Sequence, residues 1–210
     1  MDILSKADIA YAHIASELRA GTRPPGGTIV VKDVAKTLKM TETPVREALE
    51  RLKGQGAVIA ADGRRGFAVS NLLSSDLVDY LGLVDFMMAS ALAGNCRLKI
   101  LYSMEEDAGT IEDAVGAIEG LIEPIVNAAQ SLLIAETMAR TNLVLAPYRR
   151  AEMQVLNGWR SDIRLLRQGF NDGDPSTAFK EYTARRTRHS SEIVEMLNRS
   201  HRPITNRFQI

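Results

Sequence analysis

Residues 41–70 carry the strongest structural signal in the 210-residue chain, and they read TETPVREALERLKGQGAVIAADGRRGFAVS. The apolar side chains that recur at the spacing of one helix face are Val45, Ala48, Leu49 and Leu52. Pro44 falls in the first turn of this predicted helix, where its missing N–H is tolerated, and Gly54 and Gly56 end the helix. Two short apolar runs, AVIAA and GFAV, are joined by DGRRG, which predicts a β-hairpin.

Two further helices are predicted upstream, over residues 8–20 and 32–39, and a turn-rich TRPPGGT connector follows the first. Residues 28–31 form a short β-prone run. Residues 1–70 therefore alternate helix, helix, helix and β-hairpin. That layout is a winged helix-turn-helix, a domain that binds duplex DNA by placing its third helix in the major groove.

Arg46 is the leading candidate for a DNA contact, because it lies on the polar face of the third helix, one turn in. Its guanidinium could pair with guanine or bind a phosphate. The alternative is an ordinary i, i+4 ion pair with Glu42 or Glu50 on a solvated face. The wing sequence between the two strands could enter the minor groove, or could be only a basic hairpin tip. The other predicted DNA-contacting residues are Lys32, Thr41, Glu42, Thr43, Arg64, Arg65 and Gly66; the two threonines could instead only cap the helix.

The motifs TPVREAL, RLKGQGAV and GRRGFAV, in that order and with PPG at 24–26, resemble the signature of GntR-type bacterial transcription regulators over residues 8–70. The resemblance implies a homodimer on a pseudo-palindromic DNA operator. Glu42 stands where the family commonly has arginine, and Lys32 where many relatives have arginine. A carboxylate at position 42 would repel phosphate but could accept from cytosine N4, so the operator is expected to differ from those of most relatives.

The rest of the chain is predicted to be helical, which makes the fold class mostly α: a winged helix-turn-helix followed by an all-α bundle. Residues 71–75 are a predicted linker, 76–200 the helical domain and 201–210 a tail. The helices are predicted at 75–94, 97–107, 110–141 with Pro124 as a candidate break, 143–157, 159–171 and 175–198. The segments SSDLVDYLGLVDFMMASALAG, ARTNL and LLRQGFNDGD resemble the FadR-type effector domain called FCD. This resemblance implies dimerisation and a small-molecule pocket inside the bundle.

Many domains of that type bind a divalent metal through one aspartate and three histidines. The chain has three histidines, of which His13 lies in the head and His201 in the tail, so a three-histidine site cannot form within one copy and no metal is expected. The family's ligand positions carry over to Ala129, Leu133, Asp162 and Arg185. We hypothesise that Asp162 and Arg185 form an ion pair where the metal would lie, against the alternative of two unrelated surface charges.

The resemblance also implies candidates for an effector pocket, each with a purely structural role as its alternative. They are Asp85, Tyr102, Asn127, Trp159, Asp162, Tyr182, Arg185 and His189. Asp85 stands near the position where relatives often carry a ligand-facing arginine, so the pocket is expected to have changed character. Two interpretations follow: an effector-responsive regulator, or a DNA-binding dimer whose body only dimerises or docks a partner.

Charge and composition agree with a head that meets nucleic acid. The chain is neutral overall, yet residues 1–70 hold 11 Lys and Arg against 8 Asp and Glu, while residues 71–210 hold 15 against 18. We expect a cytoplasmic protein, because no signal peptide or membrane span is recognisable, and the single cysteine, Cys96, excludes an intrachain disulfide. No nucleophile–base pair, metal cluster or phosphate-binding loop indicates an enzyme.

Overall fold

The structure is a computed structural model that describes residues 4–61, 66–93, 111–156 and 158–200. Within these ranges the head contains α1 (Lys6–Arg19), β1 (Thr28–Ile29), α2 (Val31–Thr37), α3 (Glu42–Gly54), β2 (Val58–Ala60) and β3 (Phe67–Val69). The body contains α4 (Ser74–Ala93), α5 (Ile111–Ala128), α6 (Leu132–Val155), α7 (Trp159–Asp172), α8 (Pro175–Arg188) and α9 (Ser190–Ser200). The mostly α fold class predicted from the sequence is confirmed.

The head is a winged helix-turn-helix. Its first helix starts at a capping box in which the Ser5 hydroxyl accepts from the Asp8 N–H and the Asp8 carboxylate accepts from the Ser5 N–H. The predicted apolar face of α3 is fully buried and packs against α1. The predicted hairpin forms, and β3 pairs antiparallel with both β2 and β1, so the 28–31 run adds a third strand to the wing.

Three helix boundaries in the body differ from the sequence prediction. The predicted break at Pro124 is wrong, because the proline lies inside α5, where Leu121, Ile122 and Ile125 are buried and their packing sustains the helix. The chain turns instead at Gln130, whose φ is 48°. No break occurs at Asn142, which lies within α6, whereas the predicted 175–198 helix divides at His189. The predicted 97–107 helix lies outside the described residues.

Helix α6 joins the body to the head. Arg140 donates to the carbonyl of Gly54 at 3.2 Å, at the end of α3, and Arg150 donates to the carbonyl of Ala20 at 2.6 Å, at the end of α1. Tyr148 Oη accepts from the backbone N–H of Leu72 at 2.7 Å. Leu72 is buried, so the predicted linker packs on the body. The two arginines satisfy carbonyls at helix C-termini, where cations are favoured.

None of the described helices is both long enough and apolar enough to cross a membrane.

Candidate nucleic-acid interface and buried charge network

The predicted DNA-contacting residues of α2 and α3 are all exposed. Lys32 near the start of α2 is exposed, as are Thr41, Glu42, Thr43 and Arg46 at the start of α3. Thr41 occupies the N-cap position, but its side chain makes no capping hydrogen bond. The hydroxyl is therefore open to an external acceptor such as a phosphate oxygen.

Arg46 forms the i, i+4 ion pair that was the alternative to a DNA contact. Its Nη2 lies 3.1 Å from Glu42 Oε2, and both side chains are 47% exposed. An ion pair at this exposure contributes roughly 0.2–1 kcal/mol, which a base or phosphate contact could replace. Breaking this pair would therefore cost little free energy when Arg46 binds DNA. The DNA contact of Arg46 stays a prediction.

Arg51 on the same helix contacts α1. Its Nη1 donates to Asp8 Oδ1 at 2.7 Å, and its guanidinium lies 4.6 Å from the centre of the Tyr11 ring. Hydrogen bonds from Ser5 and then from Arg51 lower the pKa of the Asp8 carboxyl below its usual value. Tyr11 in turn donates to Gln55 Oε1 at 2.8 Å. These contacts fix the orientation of α3 on α1 and leave the α3 N-terminus open.

The wing is described only in part. Gly66 is half-buried immediately before β3, and its carbonyl accepts from the N–H of Ala61 at 3.0 Å. The predicted minor-groove residues Arg64 and Arg65 lie outside the described residues.

The body contains a buried charge network centred on Arg186, which was not predicted from the sequence. Its side chain is fully buried; Nε donates to Glu152 Oε2 at 2.8 Å and Nη2 to Asp162 Oδ2 at 2.9 Å. The guanidinium also stacks on the Tyr182 ring, 3.4 Å from its centre. Burial opposes its charge, but Tyr182, Glu152 and Asp162 raise the pKa of Arg186 above its usual value. The arginine is therefore charged inside the bundle.

Arg185 completes this network and confirms the predicted ion pair. Its Nη1 donates to Asp162 Oδ1 at 2.8 Å, and its Nη2 donates to the carbonyl of Leu156 at 2.7 Å. Two arginines thus balance the carboxylates of Asp162 and Glu152. Among the described residues, no buried side-chain nitrogen or oxygen lacks a hydrogen-bond partner.

The residues present do not fit the divalent metal that the FCD resemblance implies. Asp162 uses both carboxylate oxygens on arginines, Arg185 is a cation, and Leu133 is an apolar side chain that is 74% exposed. Within the described ranges, no group of three or more potential His, Cys, Asp or Glu ligands is placed to hold a metal. A cation beside Asp162 opposes a second cation at the same carboxylate.

The structure brings only some of the predicted effector residues together. The Arg186 network contains Asp162, Arg185 and Tyr182, whereas Asp85 Oδ1 accepts from Thr183 Oγ1 at 3.4 Å. Burial raises the pKa of the Tyr182 hydroxyl to about 12.

The other predicted effector residues that the structure describes have different neighbours. Trp159 is half-buried under the guanidinium of Arg160 at 4.1 Å, and His189 Nδ1 lies 3.0 Å from Glu192 on the surface. Asn127 lines a separate groove between α5 and α6, and Tyr102 lies outside the described residues.

The head is similar to a known protein family. Residues 6–69 match the family model described as "Bacterial regulatory proteins, gntR family". No curated protein matches the sequence significantly.

Among solved structures, E. coli McbR/YncC aligns over 95% of this chain and 100% of its own, with 16% identity and a TM-score of 0.59. A protein of Rhodococcus sp. RHA1 described as a transcriptional regulator GntR aligns over 95% and 100%, with 14% identity and a TM-score of 0.61. At this identity the likeness shows a shared fold over nearly the whole chain.

Proposed function

We propose that this chain is a GntR-type transcription regulator that binds a pseudo-palindromic DNA operator as a homodimer and reads base edges with the N-terminal half of α3. The observation that carries the proposal is the division of α3 into two faces. One face is fully buried against the head, and the other presents Thr43 and Arg46 to solvent. A helix held rigidly by one face can insert the other into a major groove.

The same exposed face explains why this operator should be unusual. Glu42, Glu47 and Glu50 are exposed along α3, and within the described residues Arg46 and Lys53 pair with carboxylates of the same helix. Phosphate contacts by such a helix are costly, because each carboxylate repels the DNA backbone. Base contacts therefore carry more of the affinity, and we propose that Glu42 accepts from a cytosine amine.

The outer face of α4 is the proposed dimer surface. The exposed residues from Gly82 to the end of the helix are uncharged and recur at helical spacing: Gly82, Leu83, Phe86, Ala89, Ser90 and Ala93. Phe86 is 69% exposed on this face. A second copy packed here would bury the phenylalanine and hold two heads at a fixed separation, as a pseudo-palindromic operator requires.

DNA recognition is tested by binding to fragments of the chain's own upstream region over a range of salt concentrations. The wild-type protein should bind one fragment selectively, and Arg46→Ala should lose that selectivity at a cost of about 1–3 kcal/mol. Arg164→Ala, which removes an exposed arginine from α7 in the body, is the matched control and should bind as wild type does. Equal binding by the Arg46 and Arg164 variants would contradict recognition through α3.

Dimerisation is tested by sedimentation of Phe86→Asp. We expect this variant to be monomeric at concentrations where the wild-type protein is dimeric, and to bind the operator weakly. Leu133→Asp is the matched control, because Leu133 is 74% exposed on α6 rather than α4. A Phe86→Asp protein that stays dimeric would contradict the α4 interface.

For the body we propose that the Arg186 network replaces metal-dependent effector binding and stabilises the bundle. The support is that Asp162 already accepts from two guanidinium groups. Adding Zn²⁺ or Ni²⁺, or removing metals with EDTA, should leave the unfolding temperature unchanged. A rise with added metal that Asp162→Asn abolishes would contradict the proposal.

A further inference from the structure

A groove runs along the hairpin of α5 and α6 and reaches the head. Its volume is about 410 Å³, within the range of roughly 300–1,000 Å³ usual for small-molecule sites. Arg19, in the last turn of α1, lines it from the head side. Ala135 and Ala139 lie one turn apart on α6, and their short side chains leave space between the two helices.

The floor of the groove is apolar and its edges are polar. Ile122, Val126 and Met138 are buried and line the floor. The polar lining residues are Arg19, Glu119, Glu123, Asn127 and Asn142.

One edge of the groove is held in place by Arg149. This buried residue donates to Glu119 Oε1 at 3.0 Å and to Asn142 Oδ1 at 2.6 Å. The pairing leaves that end of the groove electrically balanced and rigid.

Three lining groups have no such partner. Within the described part of the chain, the side chains of Arg19, Glu123 and Asn127 make no hydrogen bond or ion pair, and all three are exposed. The groove therefore offers one unpaired cation, one unpaired carboxylate and one amide around an apolar floor. A ligand with a single charge would leave one of the two ionic groups without a counter-charge.

We propose that this groove binds a small zwitterion with an apolar side chain, of the chemical class of free α-amino acids. The ligand carboxylate pairs with Arg19, its ammonium group pairs with Glu123, and its side chain covers Ile122, Val126 and Met138. A guanidinium and a carboxylate are the strong partners for those two ligand groups.

The position of the groove links such a ligand to the recognition helix. The lining residue Ala139 is adjacent in sequence to Arg140, which donates to the carbonyl of Gly54 at the end of α3. Arg19 belongs to α1, the helix on which α3 packs. A ligand that bridges Arg19 and α5 therefore contacts the elements that set the orientation of the head relative to the body. Coupling between two linked binding sites typically changes affinity about 5-fold to 150-fold, and we expect an effect of that size on operator affinity.

The inference rests on the proposed operator binding only for this coupling, so ligand binding is measured first without DNA. Thermal unfolding is followed with each of the common free L-amino acids in turn. At about ten times its Kd, a bound ligand should raise the unfolding temperature by roughly 3–6 °C. For the best ligand, the corresponding amine without the carboxylate and the acid without the amine should each give a clearly smaller shift.

Substitutions of the lining residues then test whether the ligand binds in this groove. Arg19→Ala and Glu123→Ala should each abolish the shift, and Ala139→Leu should do so by filling the groove. Glu136→Ala, an exposed carboxylate of α6 outside the groove, should not change it. The absence of a shift with every amino acid, or a shift that all three groove variants retain, would overturn the inference. Neither outcome bears on DNA binding, which the Arg46 experiment tests separately.

The coupling is measured as operator affinity with and without the ligand. Arg140→Ala should still show the thermal shift but should lose most of the effect of the ligand on DNA binding. Equal operator affinity with and without ligand in the wild-type protein would overturn the link to α3.

Discussion

Replacing Arg186 with methionine should destabilise the protein more than any other single change in its buried charge network. Arg186 is fully buried, and its partners Glu152 and Asp162 are 1% and 3% exposed. Asp162 keeps Arg185 when Arg186 is removed, but Arg186 is the only hydrogen-bond partner of the Glu152 side chain among the described residues. The substitution therefore leaves one buried carboxylate without a counter-charge.

Breaking a buried ion pair in this way costs about 3–5 kcal/mol. A loss of 1 kcal/mol lowers the unfolding temperature by roughly 2–4 °C in a chain of this size, so the variant should unfold roughly 6–20 °C below the wild-type protein. The loss of stacking on Tyr182 adds to the effect. The measurement is thermal unfolding by circular dichroism together with urea denaturation.

A second substitution separates the unpaired charge from the lost packing. Glu152→Gln in the Arg186→Met background removes the buried charge and keeps the shape of the side chain, so it should recover part of the lost stability. The reasoning would be refuted if Arg186→Met lay within about 1 kcal/mol of wild type, or if the second substitution made the protein less stable still.

Three further predictions concern smaller contacts. Tyr148→Phe should cost about 1–3 kcal/mol in urea denaturation, because it leaves the N–H of buried Leu72 without its acceptor; an unchanged midpoint would count against this link between head and body. Burial raises the pKa values of Tyr148 and Tyr182 to about 12. The contribution of these two neutral hydroxyls to the free energy of unfolding should therefore be complete below pH ~10 and lost as the pH rises towards ~12. A free energy of unfolding that stays constant across that interval would contradict this prediction. Glu42→Ala should strengthen non-specific DNA binding about fivefold at low salt, because one carboxylate at about 4 Å from a phosphate repels it by about 1 kcal/mol in water. Weaker DNA binding by this variant in a fluorescence anisotropy titration would refute the prediction.

The secondary structure of the head could be predicted from its sequence because each of the sequence signals involved is local. The apolar spacing in α3 identified a face that is fully buried, and the glycine-rich DGRRG segment separated two strands that pair. The pairing of β1 with β3 was not predicted, since it joins residues about 40 positions apart and no turn between them specifies the register.

The body was predictable as a helical bundle but less so in its interior. The Asp162–Arg185 pair was predicted through the FCD resemblance and is confirmed at 2.8 Å. Arg186 was missed because it lies in the strongly basic sequence ARRTR, where composition suggests a solvated surface. The available signal was its spacing: Arg186 follows Phe179 by seven residues and Tyr182 by four, which places it on the buried face of α8.

The turn at Gln130 had no glycine or proline to mark it, and a glutamine at positive φ is not expected from propensity. Pro124 was the stronger sequence signal for a helix break, yet burial of the residues around it keeps α5 continuous. In both places tertiary packing decided the outcome, and it is not visible in a window of a few residues.

Footprinting of the wild-type protein on its own upstream DNA at moderate salt distinguishes a dimeric operator-binding regulator from a non-specific DNA-binding protein. We expect two protected half-sites related by approximate two-fold symmetry, with centres one helical turn, about 10 base pairs, or a small multiple of it apart. Uniform weak protection that vanishes as the salt rises, with no symmetric pair at any protein concentration, would show non-specific binding and rule out the proposed operator recognition.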